Sequence, residues 1–297
     1  MSFTIGYKGA PGAHVESAAK VAYHKEQVTY KNFKDNKELF EALISEQVQK
    51  IIVPIENSIS GNFLQNLDQI AKNHPKVTIV EELIIEEKNA LLANSGTKLD
   101  QVNKVYSHPS IFDQYGTELR NLAGKDLEHQ IGNSTSDCAQ LLRDSPDSNS
   151  AVIANPVTAQ LYNLEILQHL KAPVPNVTRY FILATKSVAT EKHQMPKTSL
   201  MLIMKNAPGV LFKVLSAFAL RDINVSKIES RASARTIRTG SPWEYIMFVD
   251  VEGSPESNPK LQNAISNLGE FASEVKNLGS YPRHFPDLNM DKSPVGL

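Results

Sequence analysis

From residue 1 to about 186 the chain alternates short runs rich in β-branched and aromatic residues with longer stretches of helical periodicity. The pattern predicts strands over residues 3–7, 28–33, 51–55, 77–82, 102–106, 128–131, 151–154 and 180–185. Helical stretches fall between them, over 38–46, 62–73, 110–122, 136–143 and 156–162. That alternation predicts an α/β architecture with a mostly parallel sheet. Residues 187–198 are polar and aperiodic and read as a linker. Beyond them the pattern changes. A strand (199–205), the turn Asn206-Ala207-Pro208-Gly209 and a helix (210–220) come first. Two strands (224–230 and 244–252) then flank a loop containing Thr239-Gly240-Ser241-Pro242, followed by a helix (258–271) and a last strand (274–281). The order βαββαβ is the ferredoxin-like motif. Residues 285–297 are polar and Pro-rich and read as a poorly ordered tail.

The 297 residues exceed one ordinary core and fit two or three packed units. A hydrophobic fraction of 41% and a charged fraction of 21% are those of a soluble globular protein. A net charge of −1 argues against a nucleic-acid or acidic-membrane partner. The single cysteine, Cys138, excludes an internal disulfide, fits a reducing compartment and reads as a small core residue. Neither it nor the eight histidines have metal-ligand spacing, so no metal is expected. No run approaches about 18 apolar residues, so no membrane span is expected. A strand predicted from Phe3 leaves no room for a leader, and the expected location is cytoplasmic.

Ligands of open α/β sheets bind where strands lead into helix N-termini. Four such junctions share a composition of small and hydroxyl-bearing residues: Gly9-Ala10-Pro11-Gly12-Ala13, Glu56-Asn57-Ser58-Ile59-Ser60-Gly61-Asn62, Ser107-His108-Pro109-Ser110 and Gly132-Asn133-Ser134-Thr135-Ser136-Asp137. Each alone is ordinary helix capping. Together, converging N–H groups and hydroxyls make a site for a small anion. The segment Asn176-Val177-Thr178-Arg179-Tyr180 adds a hydroxyl donor and a guanidinium suited to a carboxylate. Gly9–Gly12 lacks the Gly-Lys-Ser/Thr of a P-loop, and no dinucleotide fingerprint stands at a strand–helix junction. Glu56 reads as a general base or an ordinary strand-end carboxylate, and His108 as an acid–base group or a cap. The pairs Glu81-Glu82 and Glu86-Glu87 read as charges on an exposed face.

The ordered set Val53-Pro54-Ile55-Glu56-Asn57-Ser58 with Gly61, Tyr106-Ser107-His108-Pro109, Ser134-Thr135 and Asn176-x-Thr178-Arg179-Tyr180 resembles the prephenate dehydratase family, whose motifs the arogenate dehydratases share. Pro208-Gly209-Val210-Leu211 and Glu229-Ser230-Arg231 resemble the ACT regulatory domain of that family. The resemblance implies a catalytic domain over 1–186, two-lobed like a type II periplasmic binding protein, with lobe 1 at about 1–79 and 164–186 and lobe 2 at about 80–163. It further implies a linker at 187–198, a ferredoxin-like ACT domain over 199–284 and a tail from 285. The implied reaction converts prephenate to phenylpyruvate, water and carbon dioxide in phenylalanine biosynthesis, without a cofactor. Arogenate dehydratase and a non-catalytic amino-acid sensor are the alternatives.

The same resemblance implies that Thr178 and Arg179 are catalytic, with Thr178 acting through a relay because an unaided threonine is a poor acid. It gives substrate-binding roles to Asn57, Ser58, Gly61, Ser107, Ser134 and Thr135. Pro208, Gly209, Val210, Leu211, Glu229, Ser230 and Arg231 would bind phenylalanine as effector, in a homo-oligomer (dimer or tetramer) paired through the ACT domains. The chain departs from the family pattern at Ala232, where a proline often follows the arginine, and at Tyr180, where phenylalanine is more frequent. The first departure leaves the effector response open.

Overall fold

The structure, a computed structural model, describes residues 2–132, 134–144, 147, 149–185, 195–204, 207–232 and 244–284. Two α/β sheets come first. The leading strands are β1 (Phe3–Lys8), β2 (Val28–Phe33), β3 (Lys50–Asn57), the two-residue β4 (Gly61–Asn62) and β5 (Thr78–Glu86). Between them lie α1 (His14–Ala22), α2 (Asn36–Ile44) and α3 (Leu64–Asn73). The next strands are β6 (Ala90–Ala93), β7 (Lys104–Ser107), β8 (Glu128–Ile131), β9 (Ser150–Ala154), β10 (Glu165–His169) and β11 (Val177–Ala184). Their helices are α4 (Pro109–Ala123), α5 (Thr135–Asp144) and α6 (Val157–Tyr162).

The first sheet has the order β2-β1-β3-β11-β5 and the second β10-β6-β9-β7-β8. Leaving out the two-residue β4, which pairs with β3 beside the main path, both orders counted within each half of the chain read 2-1-3-n-4, where n is the strand arriving from the other half. This is the type II periplasmic-binding-protein-like pattern that the resemblance implied. Central strands are buried on both faces, as Ile51, Ile52, Val53 and Ile55 show, which is why they read as unbroken apolar runs.

Each sheet is mixed rather than parallel throughout. The triplets β2-β1-β3 and β8-β7-β9 are parallel, while β4 runs antiparallel to β3 in the first sheet and β6 antiparallel to both β9 and β10 in the second. Strands β6 and β10 escape the pattern for opposite reasons. Ala90–Ala93 has no β-branched residue, and the edge strand Glu165–His169 is largely exposed. Helix α2 starts before residue 38 because Asp35 caps it, accepting the Glu38 N–H at 2.9 Å. Strand β11 begins at Val177 instead of 180, so Thr178 and Arg179 lie inside it, buried.

The C-terminal elements are β12 (Pro196–Met204), α7 (Val210–Ala219), β13 (Val225–Ala232), β14 (Tyr245–Glu252), α8 (Pro259–Leu268) and β15 (Glu274–Pro282). They form an antiparallel sheet, β13-β14-β12-β15, the ferredoxin-like arrangement expected. Leu200, Leu202 and Met204 alternate along β12 into a core shared with Val214, Phe218 and Leu261 of the two helices. The linker expected up to 198 ends earlier, because Pro196, Lys197 and Thr198 open β12. Residues 187–194 of that linker, the 239–242 loop and the 285–297 tail lie outside the described residues.

Packing divides the chain into two units, one holding 1–63 with 83–180 and the other 64–82 with 181–285. Helix α3 and the first half of β5 therefore belong with the ferredoxin-like sheet. Glu82, expected on an exposed face, is buried there, with Lys197 Nζ at 2.9 Å from its Oε2. Arg231 reaches Asp68 Oδ2 at 2.6 Å and the Leu64 carbonyl at 3.0 Å. Gly279 has φ +150°, and a Cβ there would collide with the Ile79 carbonyl, so only glycine allows this approach. Among the described residues no helix is long and apolar enough to cross a membrane.

Candidate functional site

Asn57 closes β3, and its Oδ1 accepts the N–H groups of Ile59 (2.9 Å) and Ser60 (2.8 Å), an Asx turn. Two backbone donors fix the amide's orientation, so Nδ2 must donate on the other side. It donates to Thr178 Oγ1 at 2.7 Å and to Asn176 Oδ1. Thr178 in turn donates to Glu87 Oε1 at 2.7 Å, and the Tyr180 hydroxyl donates to the same oxygen at 2.8 Å. The Glu87 N–H donates to the Asn176 carbonyl at 2.7 Å, anchoring the segment that follows β5. Burial first, and then the Glu87 carboxylate, push the Tyr180 phenol well above its ordinary range, so it stays a protonated donor.

This network forms one wall of a cavity of about 310 Å³, within the usual range of about 300–1,000 Å³ for small-molecule sites. Asn57, Glu87, Gln114, Asn176 and Thr178 supply its polar wall, and Ile59, Phe63 and Ile111 its apolar part. Asn176 Nδ2 donates to Gln114 Oε1 at 3.2 Å, which leaves the buried Gln114 Nε2 without a partner among the described residues. Two helix starts close the rim. His108 caps α4, with its Nδ1 accepting the Ser110 N–H at 3.3 Å and Pro109 as first helical residue. Ser134 caps α5, with its Oγ accepting the Asp137 N–H at 3.1 Å. His14, the first residue of α1, also lines the cavity, its Nε2 at 3.0 Å from Asn89 Oδ1.

Of the residues expected at the substrate, Asn57, Ser134, Thr135 and Thr178 meet at this cavity, and the others lie elsewhere. Ser58 is exposed and ties the loop to β11, donating to the Pro175 carbonyl (3.0 Å) and accepting the Val177 N–H (2.9 Å). Gly61, at φ +81°, turns the chain between β3 and α3. Ser107 is buried and donates to the Ile153 carbonyl at 3.0 Å, joining β7 to β9. Arg179 is 6% exposed and pairs with Glu56 Oε1 at 3.0 Å. Successive strand residues point to opposite faces, so Thr178 and Arg179 cannot both face one cavity. Among the described residues no lysine or arginine lines it.

Glu87, Gln114 and His14 were missing from the expected site. Glu87 looked like the second of two exposed charges. Glu86 is exposed, but Glu87 turns inward where β5 ends. The usable signal was that position at a strand end, where open sheets collect ligands. Cys138 is a core residue, its thiol pushed up to about 11 by burial and then by Asp137.

In the second unit Gly209, at φ +76°, is the N-cap of α7, with Pro208 before it and Val210 and Leu211 opening the helix. Glu229, Ser230 and Arg231 lie on β13, an edge strand. Leu211 and Phe212 are exposed. A separate cavity of about 420 Å³ lies near Arg221, Asn224, Lys260 and Arg283, and none of the expected effector residues lines it.

Two sheets in the binding-protein order, a hydroxyl- and amide-lined cavity and a ferredoxin-like unit define a ligand-binding α/β protein with an ACT-type module. The family model "Prephenate dehydratase" matches residues 5–188, and the model "ACT domain" matches 198–270. The chain is 34% identical over 289 residues to arogenate dehydratase/prephenate dehydratase 1 (chloroplastic) of Arabidopsis thaliana, covering 94% of this chain and 71% of that protein. Two solved structures superpose with a TM-score of 0.84 and bear on the fold alone. One is a prephenate dehydratase from Arthrobacter aurescens in complex with L-Phe (24% identity, 94% of this chain and 90% of that one). The other is GqqA, described as a quorum quenching acylase (23% identity, 95% of this chain and 98% of that one). The chain belongs to the prephenate dehydratase family of lyases and carries an ACT domain.

Proposed function

We propose that this chain catalyses the decarboxylating dehydration of prephenate to phenylpyruvate, a step of phenylalanine biosynthesis. The observation that carries the reading is Thr178, held on the cavity wall between an obligate donor, Asn57, and a carboxylate, Glu87. Loss of carbon dioxide and of the ring hydroxyl aromatises the ring, so the protein must supply a proton at that hydroxyl and an anchor for the side-chain carboxylate. Thr178 serves the hydroxyl. The N–H groups at the starts of α4 and α5, with Ser134, Thr135 and Gln114 Nε2, suit the carboxylate without a cationic side chain. The departing carboxylate is better held loosely, against Ile59, Phe63 and Ile111, because it becomes neutral carbon dioxide. Arg179 organises the strand through Glu56, while Ser58, Gly61 and Ser107 shape the loops that carry the donors.

The catalytic domain spans 1–186, with lobe 1 at about 1–86 and 177–186 and lobe 2 at about 90–169; the breaks expected at 80 and 164 move because β5 runs to Glu86 in the first sheet and β10 (Glu165–His169) lies in the second. A linker over about 187–195 and an ACT domain from Pro196 to 284 follow, with a tail from 285. Phenylalanine is the effector, bound by Pro208, Gly209, Val210, Leu211, Glu229, Ser230 and Arg231 in a homo-oligomer. The exposed Leu211 and Phe212 and the edge strand β13 support such pairing. A cytoplasmic location fits a single cysteine.

Arogenate is the second reading, favoured by a relative named for both activities. It carries an ammonium where prephenate has a keto group and reacts identically at the ring. Rates of phenylpyruvate formation from prephenate and of phenylalanine formation from arogenate, each with and without added phenylalanine, test the proposal. Absence of both products supports a sensor instead.

A further inference from the structure

We propose that Glu87 is the proton source for the leaving hydroxyl, with Thr178 handing the proton on. This rests on the reading that Thr178 serves that hydroxyl. A threonine hydroxyl has one hydrogen and two lone pairs. Asn57 Nδ2 is a fixed donor, because two backbone N–H groups hold its Oδ1, and it fills one lone pair from 2.7 Å. While Glu87 is a carboxylate, the Thr178 hydrogen points to Glu87 Oε1 at 2.7 Å, and none is left for a substrate. Once Glu87 carries a proton, its O–H fills the second lone pair across the same distance. The Thr178 hydrogen is then free to turn into the cavity. Protonation of Glu87 thus arms the threonine.

Tyr180 cannot take over this duty. Burial, reinforced by the Glu87 carboxylate, holds its phenol protonated, and it only donates to Glu87 Oε1. Other titratable groups near this network are Tyr115 on α4, which feels both Glu87 and Glu118, the adjacent Glu86 and Lys88, and His14 and His108 on the cavity lining.

The step balances. The bond between the ring and its carboxylate breaks, carbon dioxide leaves, and the released electron pair completes the aromatic ring. The carbon–oxygen bond breaks with its electrons on oxygen, which takes the Thr178 hydrogen and leaves as water. Thr178 takes the Glu87 proton, and the Glu87 carboxylate regains one from solvent. One proton is consumed per turnover, as conversion of a dianion to a monoanion and neutral products requires.

The test uses the full chain with prephenate and three variants. Glu87→Gln keeps shape and hydrogen bonding but has no acid proton. It should lower kcat by about 10²–10⁴-fold, the usual span of general acid catalysis, with KM within about threefold. Glu87→Ala should be equally slow and regain at least about fivefold with added formate, a small acid that fits the vacated space, whereas Glu87→Gln should gain nothing. A purely structural role would leave formate without effect. A Glu87→Gln kcat within about tenfold of the parent overturns the proposal, as does a Glu87→Ala enzyme that formate leaves unchanged. A fully active Thr178→Val enzyme overturns the underlying reading of the threonine, and a fully active Glu87→Gln beside an inactive Thr178→Val overturns only this one.

Discussion

Replacing Thr178 by valine removes one oxygen and almost no volume. Thr178 is 1% exposed and hydrogen-bonded on both sides, to Asn57 and to Glu87, each at 2.7 Å. The structural cost is limited because both partners keep another bond. Asn57 Nδ2 still donates to Asn176 Oδ1, and Glu87 Oε1 still accepts from Tyr180. A destabilisation of about 1–3 kcal/mol follows from disturbing such buried pairs. The catalytic cost is larger, because the last donor to the leaving oxygen is gone. Loss of a positioned acid is worth about 10²–10⁴-fold, or about 3–5 kcal/mol of barrier at 1.36 kcal/mol per decade. The assay is steady-state phenylpyruvate formation at a temperature well below the variant's melting point, with Thr178→Ser as the control that restores the hydroxyl. Turnover of the valine variant within about tenfold of the parent would refute the placing of Thr178 at the reacting oxygen.

Three further outcomes follow from other parts of the chain. Burial raises the Glu16 carboxyl, but hydrogen bonds from Lys20 and the Gly12 N–H outweigh it and hold the group below its ordinary value. A depressed folded-state value contributes stability above the unfolded value of about 4.3 and loses it as pH falls further. Denaturant melts should therefore show Glu16→Gln less stable than the parent at pH 7, with the gap narrowing at pH 3. Gly279→Ala adds a Cβ against the Ile79 carbonyl at φ +150° and should lower stability by at least about 1–3 kcal/mol in thermal melts; an unchanged melting temperature would contradict the close approach. Lys197→Met removes the ammonium beside the fully buried Glu82 side chain, leaving the carboxylate the His284 N–H but no opposite charge from Lys197, and should cost about 3–5 kcal/mol, of which Lys197→Met/Glu82→Leu should recover most.

The elements that the sequence made legible are those whose burial matches their period. The apolar runs of β3, β9 and β12 announce strands because both faces of each are buried. Strands β6 and β10 carried no such contrast and were silent. At the site, Asn57, Ser134, Thr135 and Thr178 were legible from junction chemistry and family motif. Of the two parts open to Arg179, holding a substrate carboxylate or organising the cleft, its pairing with Glu56 fits the second, because neighbouring residues of a strand face opposite sides. Glu87 was overlooked because a doublet of glutamates looks the same whether one turns inward or neither does. Only the pairing of its neighbourhood with β11 decides that, and it depends on contacts about ninety residues apart.

The most direct measurement is the reaction of the purified chain with prephenate labelled in the ring carboxylate. The account predicts labelled carbon dioxide and phenylpyruvate in equal amounts, with one proton taken up per turnover, and loss of all three signals together in Thr178→Val. Unchanged prephenate, with arogenate equally untouched under the same conditions, would contradict it.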